Sequence, residues 1–569
     1  MRRQVRHPRS HRSRSNIAPA VPAVPAVLKH ASITSLMARS RDRLPDADSF
    51  ELEALMGSDD EQLDTSPDSP LAMASSHEIN RSTSQPQPKW LTGSRRLRPR
   101  ITWRRALLVA FVFYAFYCFV RGSPLLASPL PSYTGPHGVG AVDIEVPLDG
   151  GPQHVADGTL TSTGEPAFEV ETLLATIYYP TDHHFRSLKP RYPWIPRPVS
   201  LVGQGYARFA HVDNFLMRPI FTFGLWAIGG SITIPAEVDA PLLSSEKEPE
   251  AFPVTIFSHG MASSRTDYTN FLGELASRGH VAVAIEHRDG SGPGSLVKTS
   301  ADSPGRKVLP LRESDLKDEL DTPAFKRAQL AFRDVEMLAA VEVLRLINDG
   351  HAIPNARDPV DTFAGWADRL DFDHLTLAGH SYGATGALQA LTTLKSASPA
   401  CGVILDPGKS SGPLNPNATV PILVVHSNSW SRMVSPFYGR PHFDTVRDLV
   451  RGIPAPSWFL TSVGTAHPSV TDAPLLEPLL LSWTTGANLD VKEALKEYVR
   501  VTDDFSHFVR GGERRRILAE AVTHPQYNEW VSEKRKEEFP KELTRLWEVH
   551  VTPETQEKGP RHNIVRNVP

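Results

Sequence analysis

The chain has 569 residues, a formal net charge of -3 and two cysteines. That length exceeds one compact domain, and near-neutral charge gives no polyanion-binding signal. Two cysteines, Cys118 and Cys401, exclude a disulfide scaffold and a cysteine-rich zinc site.

The first 41 residues hold no Asp or Glu, while Arg2, Arg3, Arg6, Arg9, Arg12 and Arg14 crowd the start. Residues 1–100 are rich in Ser, Pro, Arg and Ala and read as a disordered basic tail. Proline recurs every three residues through Ala18–Val27, which suits an extended chain and breaks the amphipathic helix that a mitochondrial transit peptide needs.

Arg104-Arg105 then precedes Ala106–Val120, a run without charge, and Arg121 closes it. We expect residues 103–122 to form a single transmembrane signal anchor, extended by Trp103 and by snorkelling of Arg105 and Arg121. Seven basic residues from Lys89 to Arg105 flank its N-terminal side, and Arg121 alone lies close on the other. The positive-inside rule then predicts a type II protein: the tail is cytosolic, and residues 122–569 are lumenal or extracellular in the secretory pathway. In that orientation the sequon Asn417-Ala-Thr419 is open to glycosylation, whereas Asn80-Arg-Ser82 lies on the wrong side.

From 135 to 511, short apolar runs alternate with helical stretches. The expected strands are Leu173–Tyr179, Val254–Ser258, Val281–Glu286, Leu375–Ala378, Gly402–Leu405, Ile422–His426 and Trp458–Thr461. Most are apolar on both faces, as in a parallel sheet covered by helices. Between them fall helical segments at Phe271–Ser277, Phe325–Asn348 and Ala384–Leu394. The alternation predicts a doubly wound α/β domain. Phe215–Ile234 is strongly apolar, and is either a core helix or a lipid-facing surface. After Gly511-Gly512 the composition turns charged, as in Glu533-Lys-Arg-Lys-Glu-Glu538, and residues 512–569 read as a solvated tail.

The sharpest chemical signal is Gly379-His-Ser-Tyr-Gly383, which follows a strand and opens a helix. That context makes Ser381 a nucleophile on a strained turn, and defines the α/β-hydrolase fold. A serine hydroxyl needs a histidine base, and the histidine needs a carboxylate to fix its tautomer. The chain order in this fold is Ser, acid, His, each just past a strand end. Asp406 ends the strand Gly402–Leu405 and is the expected acid. His467 follows the strand at Trp458–Thr461 and is the expected base, with His426, His442 and His507 as competitors. The Tyr382 N–H and the Met261 N–H, after Ser258-His-Gly260, are the expected oxyanion donors. Glu286-His-Arg-Asp289 is read as an ion-pair network, because neighbours along a strand point to opposite faces and cannot bind one ion.

With these residues placed, the chain resembles the platelet-activating-factor acetylhydrolases of the lipoprotein-associated phospholipase A2 type, from about Gly135 to Gly511. Gly135–Gly140, Ile177–Pro180, Thr233–Ala236, Phe257–Gly260 with Arg265-Thr266, Ala284–Asp289, Gly379–Gly383, Gly402–Asp406 and Gly464–His467 follow the family's motifs in order. The tail, anchor and domain together resemble fungal, membrane-anchored members. The resemblance implies calcium-independent hydrolysis of the sn-2 ester of phospholipids carrying short or oxidised acyl chains, such as 1-alkyl-2-acetylglycerophosphocholine. It implies Ser381 as nucleophile, His467 as base, Asp406 as its partner, and Met261 and Tyr382 as oxyanion donors, with no metal or organic cofactor. It also implies interfacial lipid contact by Phe215, Phe221, Leu225 and Trp226. The loop Pro407–Gly412 departs from the family in being more polar, and is expected to shape the acyl pocket. Two other functions fit the same residues: a general carboxylesterase or cutinase-like hydrolase, and a membrane-tethered binding protein without turnover.

Overall fold

The computed structural model describes residues 102–556, apart from 122–123, 125, 245–250, 319, 359–362, 433–435, 438 and 478–483. The expected tail of residues 1–100 and its Asn80 sequon lie outside the described residues.

Val281-Ala-Val-Ala-Ile285 is buried at every position, and it shows how the sequence builds the sheet. A strand apolar on both faces is stable only with cover on both sides. The sheet has ten strands: β1 (Gly138–Pro147), β2 (Thr172–Thr181), β3 (Glu237–Val238), β4 (Phe252–Ser258), β5 (Val281–Ile285), β6 (Leu370–His380), β7 (Cys401–Leu405), β8 (Ile422–Ser427), β9 (Trp458–Ser462) and β10 (Trp547–Val551). Their spatial order is β10-β9-β8-β7-β6-β4-β5-β2-β1-β3. From β9 to β5 every pairing is parallel. Strand β2 runs antiparallel to β1 and to β5, and β10 antiparallel to β9.

The principal helices are α1 (Trp103–Arg121), α2 (Val199–Phe209), α3 (Met217–Gly229), α4 (Thr269–Ala276), α5 (Thr322–Asn348), α6 (Tyr382–Thr393) and α7 (Val491–Gly511). Alternate strand residues feed two separate cores. Ile256, Val283, Leu377, Ile404 and Val424 pack with Met337, Val341 and Leu344 of α5. Phe257, Ala284, Ala378, Val403 and Val425 pack with Phe271 and Leu275 of α4 and with Leu495 and Phe505 of α7. This is the two-residue period of a strand expressed as one core on each face. The expected strands and helices are all present, with β6 reaching further in both directions than its apolar stretch suggests.

Two expectations are corrected, and one open choice is decided. The charged segment after Gly511-Gly512 is not merely a solvated tail. Gly512, at φ +75°, ends α7, and the chain then returns to add β10 to the sheet edge, with Trp547, Val549 and Val551 buried. Its five-residue strand was hidden by averaging over a charged segment, whereas Glu533–Glu538 is a short helix without buried residues. The anchor region does form a helix, α1, but among the described residues no helix is long and apolar enough to cross a membrane. The arginines at both ends leave an uncharged stretch that rises only about 22 Å, short of a hydrocarbon core of about 30 Å. The open choice is Phe215–Ile234, where the surface position is found and the core helix is not. In and beside α3, Phe215 is 88% exposed and Trp226 55%, with Leu216, Ile220 and Phe223 also exposed, while Phe221 and Leu225 are half-buried.

Candidate active site

Strand β6 ends at His380, Ser381 turns the chain, and α6 begins at Tyr382. Ser381 has φ +57° and ψ -123°, a conformation that a residue with a side chain adopts only under constraint. Two glycines permit the turn. A Cβ on Gly379 would lie 2.3 Å from the Gly383 carbonyl oxygen, and one on Gly383 would lie 2.0 Å from the Ser258 carbonyl oxygen. Gly383→Ala therefore forces α6 away from β4. We expect a loss of about 1–3 kcal/mol in stability. Activity falls with it, because Ser258 leads into the loop facing the nucleophile. Thermal unfolding and turnover measured on the same preparation check this.

Asp406 follows β7 and His467 follows β9, so the ends of β6, β7 and β9 deliver the three side chains to one place. The Ser381 hydroxyl lies 3.0 Å from Nε2 of His467, and Nδ1 of His467 lies 2.9 Å from Oδ2 of Asp406. The other carboxylate oxygen accepts from the Ser427 N–H at 2.5 Å, and Oδ2 also accepts from the Ser427 hydroxyl at 2.6 Å. The Ser429 hydroxyl accepts from the His467 N–H at 3.0 Å. All three side chains are buried.

Burial pushes the Asp406 carboxyl up to about 6, against the Ser427 hydrogen bonds that favour its charge. Burial also pushes His467 down, to about 3, with the nearby Lys409 adding to it. At neutral pH the carboxylate is therefore ionised and the imidazole neutral, the resting state of a general base. Among the described residues, His380, Asp406 and His467 also place metal-ligand atoms within 4.8 Å of one another. Both nitrogens of His467 are already engaged, one by the carboxylate and one by the hydroxyl, so this donor set suits proton transfer better than ion binding.

The loop after β4 faces the nucleophile: a Cβ on Gly260 would meet the Ser381 Cβ at 3.0 Å. The Gly260 N–H donates to Tyr268 Oη and the Ala262 N–H to the Ser291 carbonyl. Between them the Met261 N–H has no partner among the described residues. Tyr382 opens α6 beside Ser381, where the first N–H groups of a helix lack intrahelical acceptors. Tyr268, which the sequence reading missed, joins this loop to the elbow, because its hydroxyl also lies 2.9 Å from Nδ1 of His380. Nothing local in the sequence marks that contact, since the partners are 112 positions apart.

The competing histidines lie elsewhere. His426 is buried and bonds to Ser431, His442 stacks on His426, and His507 sits partly exposed on α7 beside Asp503. Glu286–Asp289 forms the expected ion pairs at three of its four residues: Glu286 pairs with Arg265, Arg288 with Glu145 and Asp289 with Arg333, while His287, which burial holds neutral, hydrogen-bonds to Glu336. Asn417 is exposed.

A mostly parallel sheet covered on both faces, with a serine on a strained strand–helix turn, defines an α/β-hydrolase-type protein. Residues 126–505 match the family described as "Platelet-activating factor acetylhydrolase, isoform II", and the chain belongs to that family. Among curated relatives, the platelet-activating factor acetylhydrolase of Canis lupus familiaris is 31% identical over 234 residues, covering 40% of this chain and 48% of that protein. That of Cavia porcellus is 28% identical over 266 residues, covering 46% and 55%. The chain thus spans about half the length of the curated relatives it matches. A ferulic acid esterase from Streptomyces cinnamoneus aligns with a TM-score of 0.45 and 17% identity, covering 69% of this chain and 96% of that one.

Proposed function

We propose that the protein is a serine esterase of the phospholipase A2 type. It removes short or oxidised sn-2 acyl groups from phospholipids such as 1-alkyl-2-acetylglycerophosphocholine, without calcium. The observation that carries this reading is the hydrogen-bonded chain from Ser381 through His467 to Asp406, beneath an elbow that holds Ser381 at positive φ. Family membership supplies the phospholipid.

In the reaction, Ser381 Oγ attacks the ester carbonyl as its proton passes to Nε2 of His467. The Met261 and Tyr382 N–H groups receive the developing oxyanion. Asp406 stabilises the imidazolium through Nδ1, and Nε2 then protonates the departing lysophospholipid oxygen. Water, deprotonated by the same imidazole, cleaves the acyl-serine and regenerates the hydroxyl. Because the carboxyl titrates near 6, kcat/KM is expected to fall as the pH drops through that region and the His467–Asp406 pair takes up a proton.

The exposed apolar side chains of α3 support contact with a lipid surface through Phe215 and Trp226, with Phe221 and Leu225 behind them. Helices α2 and α3 flank a cavity of about 890 Å³ lined by Leu201, Phe223 and Trp226. None of the triad residues lines it, so its role here is lipid contact and not chemistry. Helix α2 is tied to the oxyanion loop by Tyr206, whose hydroxyl donates to the Ala262 carbonyl at 3.1 Å.

The test supplies the full chain with sn-2 acetyl and sn-2 palmitoyl phosphatidylcholine in the presence of chelator. Rapid acetate release with little palmitate release is expected. Cleavage of a nitrophenyl ester with neither lipid touched would move the function to a general carboxylesterase or cutinase-like hydrolase. Failure of a fluorophosphonate probe to label Ser381 would favour a binding protein without turnover.

A further inference from the structure

The imidazole of His467 lies flat on the indole of Trp430, with ring centroids 3.9 Å apart and planes 11° from parallel. The indole is held in that position. Trp430 is buried, its Nε1 donates to the Pro407 carbonyl at 3.0 Å, and its backbone N–H donates to Ser427 Oγ, the hydroxyl that also serves Asp406. Lys409 Nζ sits 4.3 Å from the indole centroid and donates to the Trp430 carbonyl at 3.1 Å. The imidazole and the ammonium thus both rest on the same indole. Lys409 is half-buried and forms no ion pair with a carboxylate among the described residues. A cation without a carboxylate partner is thereby held against the indole that carries the candidate base.

We propose that Trp430 and Lys409 are positioning residues for the His467–Asp406 pair: the indole fixes the plane of the imidazole, and the ammonium behind it keeps the pair from taking up a proton. The inference rests on His467 being the base of an esterase. The titratable groups around the imidazole are Asp406 and Lys409 from the loop after β7, His380 beside the nucleophile, and His426 and His442 behind Trp430, with the Tyr498 phenol near Asp406. Burial holds the three other histidines neutral and keeps the phenol protonated. Burial also lowers Lys409 to about 8, which leaves it charged throughout the acid limb of a rate profile. A positive charge disfavours proton uptake on both His467 and Asp406, so its removal shifts their titration upward. Lys409 lies in Pro407–Gly412, the loop that departs from the family resemblance.

The test is the pH profile of kcat/KM for the full chain on p-nitrophenyl acetate, normalised to sites labelled by fluorophosphonate. Lys409→Met is expected to move the acid limb to higher pH by about half a pH unit or more, from a charge at this range in a partly buried site. Lys409→Arg keeps the limb where the wild type has it. Trp430→Leu is expected to lower kcat by about tenfold or more with KM little changed, because a loosened base misses its geometry, while Trp430→Phe retains most of the rate. If Lys409→Met labels poorly, Lys409→Gln gives the same reading with a polar neutral side chain. An acid limb unmoved in a fully labelled neutral variant overturns the electrostatic part. Unchanged kcat in Trp430→Leu overturns the geometric part. Failure of the esterase reading itself is seen separately, as wild-type hydrolysis that survives Ser381→Ala.

Discussion

Ser381→Ala is expected to lower kcat on p-nitrophenyl acetate by about 10⁴-fold or more while leaving the fold intact. The hydroxyl is the elbow group that stands within hydrogen-bond reach of the proposed base, 3.0 Å from Nε2 of His467. What residual rate remains comes from the oxyanion donors and substrate binding, which the substitution does not touch. His467→Ala should cost about as much, since residues acting as a unit are not additive, and the double variant should be little worse than either alone. Thermal unfolding should place Ser381→Ala at or slightly above the wild type, because alanine removes a buried hydroxyl without opening a large cavity. A Ser381→Ala protein that turns over at the wild-type rate would sink the mechanism.

The second large effect is on stability. Asp289→Ala is expected to cost about 3–5 kcal/mol, read as a drop in the urea midpoint at constant m-value. The guanidinium of Arg333 and the carboxylate of Asp289 are wholly buried and lie 2.8 Å apart. Arg333 also donates to the His259 carbonyl at 2.7 Å and to Ser291 Oγ at 2.6 Å, and lies over the Tyr382 ring at 4.4 Å. Removing the carboxylate strands a buried cation directly beneath both oxyanion segments, so activity should fall in parallel. Burial by itself would raise the Asp289 carboxyl, but Arg333 and Ser291 overcome it and hold it below the usual carboxylate range. A depressed folded-state value contributes stability that is present above the ordinary carboxylate pKa of about 4 and lost as pH falls below it. The gap between wild type and Asp289→Ala should accordingly narrow below about pH 4. A gap that widened there would contradict the assignment.

Local signals were legible in the sequence. Gly379-His-Ser-Tyr-Gly383 carries its own geometry, because the close approaches of Gly379 and Gly383 involve the turn itself and the strand beside it. Strand ends at Leu405 and Ser462 announced Asp406 and His467, since a parallel sheet must deliver successive loops to the same edge. Doubly apolar strands such as Val281–Ile285 declared a sheet covered on both faces.

Other features needed tertiary structure, because they depend on partners far away in the chain. The stretch Glu286–Asp289 could be read as an ion-pair network, but not which residues it meets: Arg265 follows β4, Glu145 lies on β1, and Arg333 and Glu336 both lie on α5, all distant in the chain. The apolarity of Phe215–Ile234 was plain, while its exposure is decided by what α2 leaves uncovered. Residues 512–556 looked solvated on composition, yet Trp547–Val551 closes the sheet edge because β9 offers an open row of backbone groups. The stack of Lys409, Trp430 and His467 has no sequence signature at all. Its three members lie in separate segments that follow β7, β8 and β9, and only the convergence of those strands at one sheet edge brings them together.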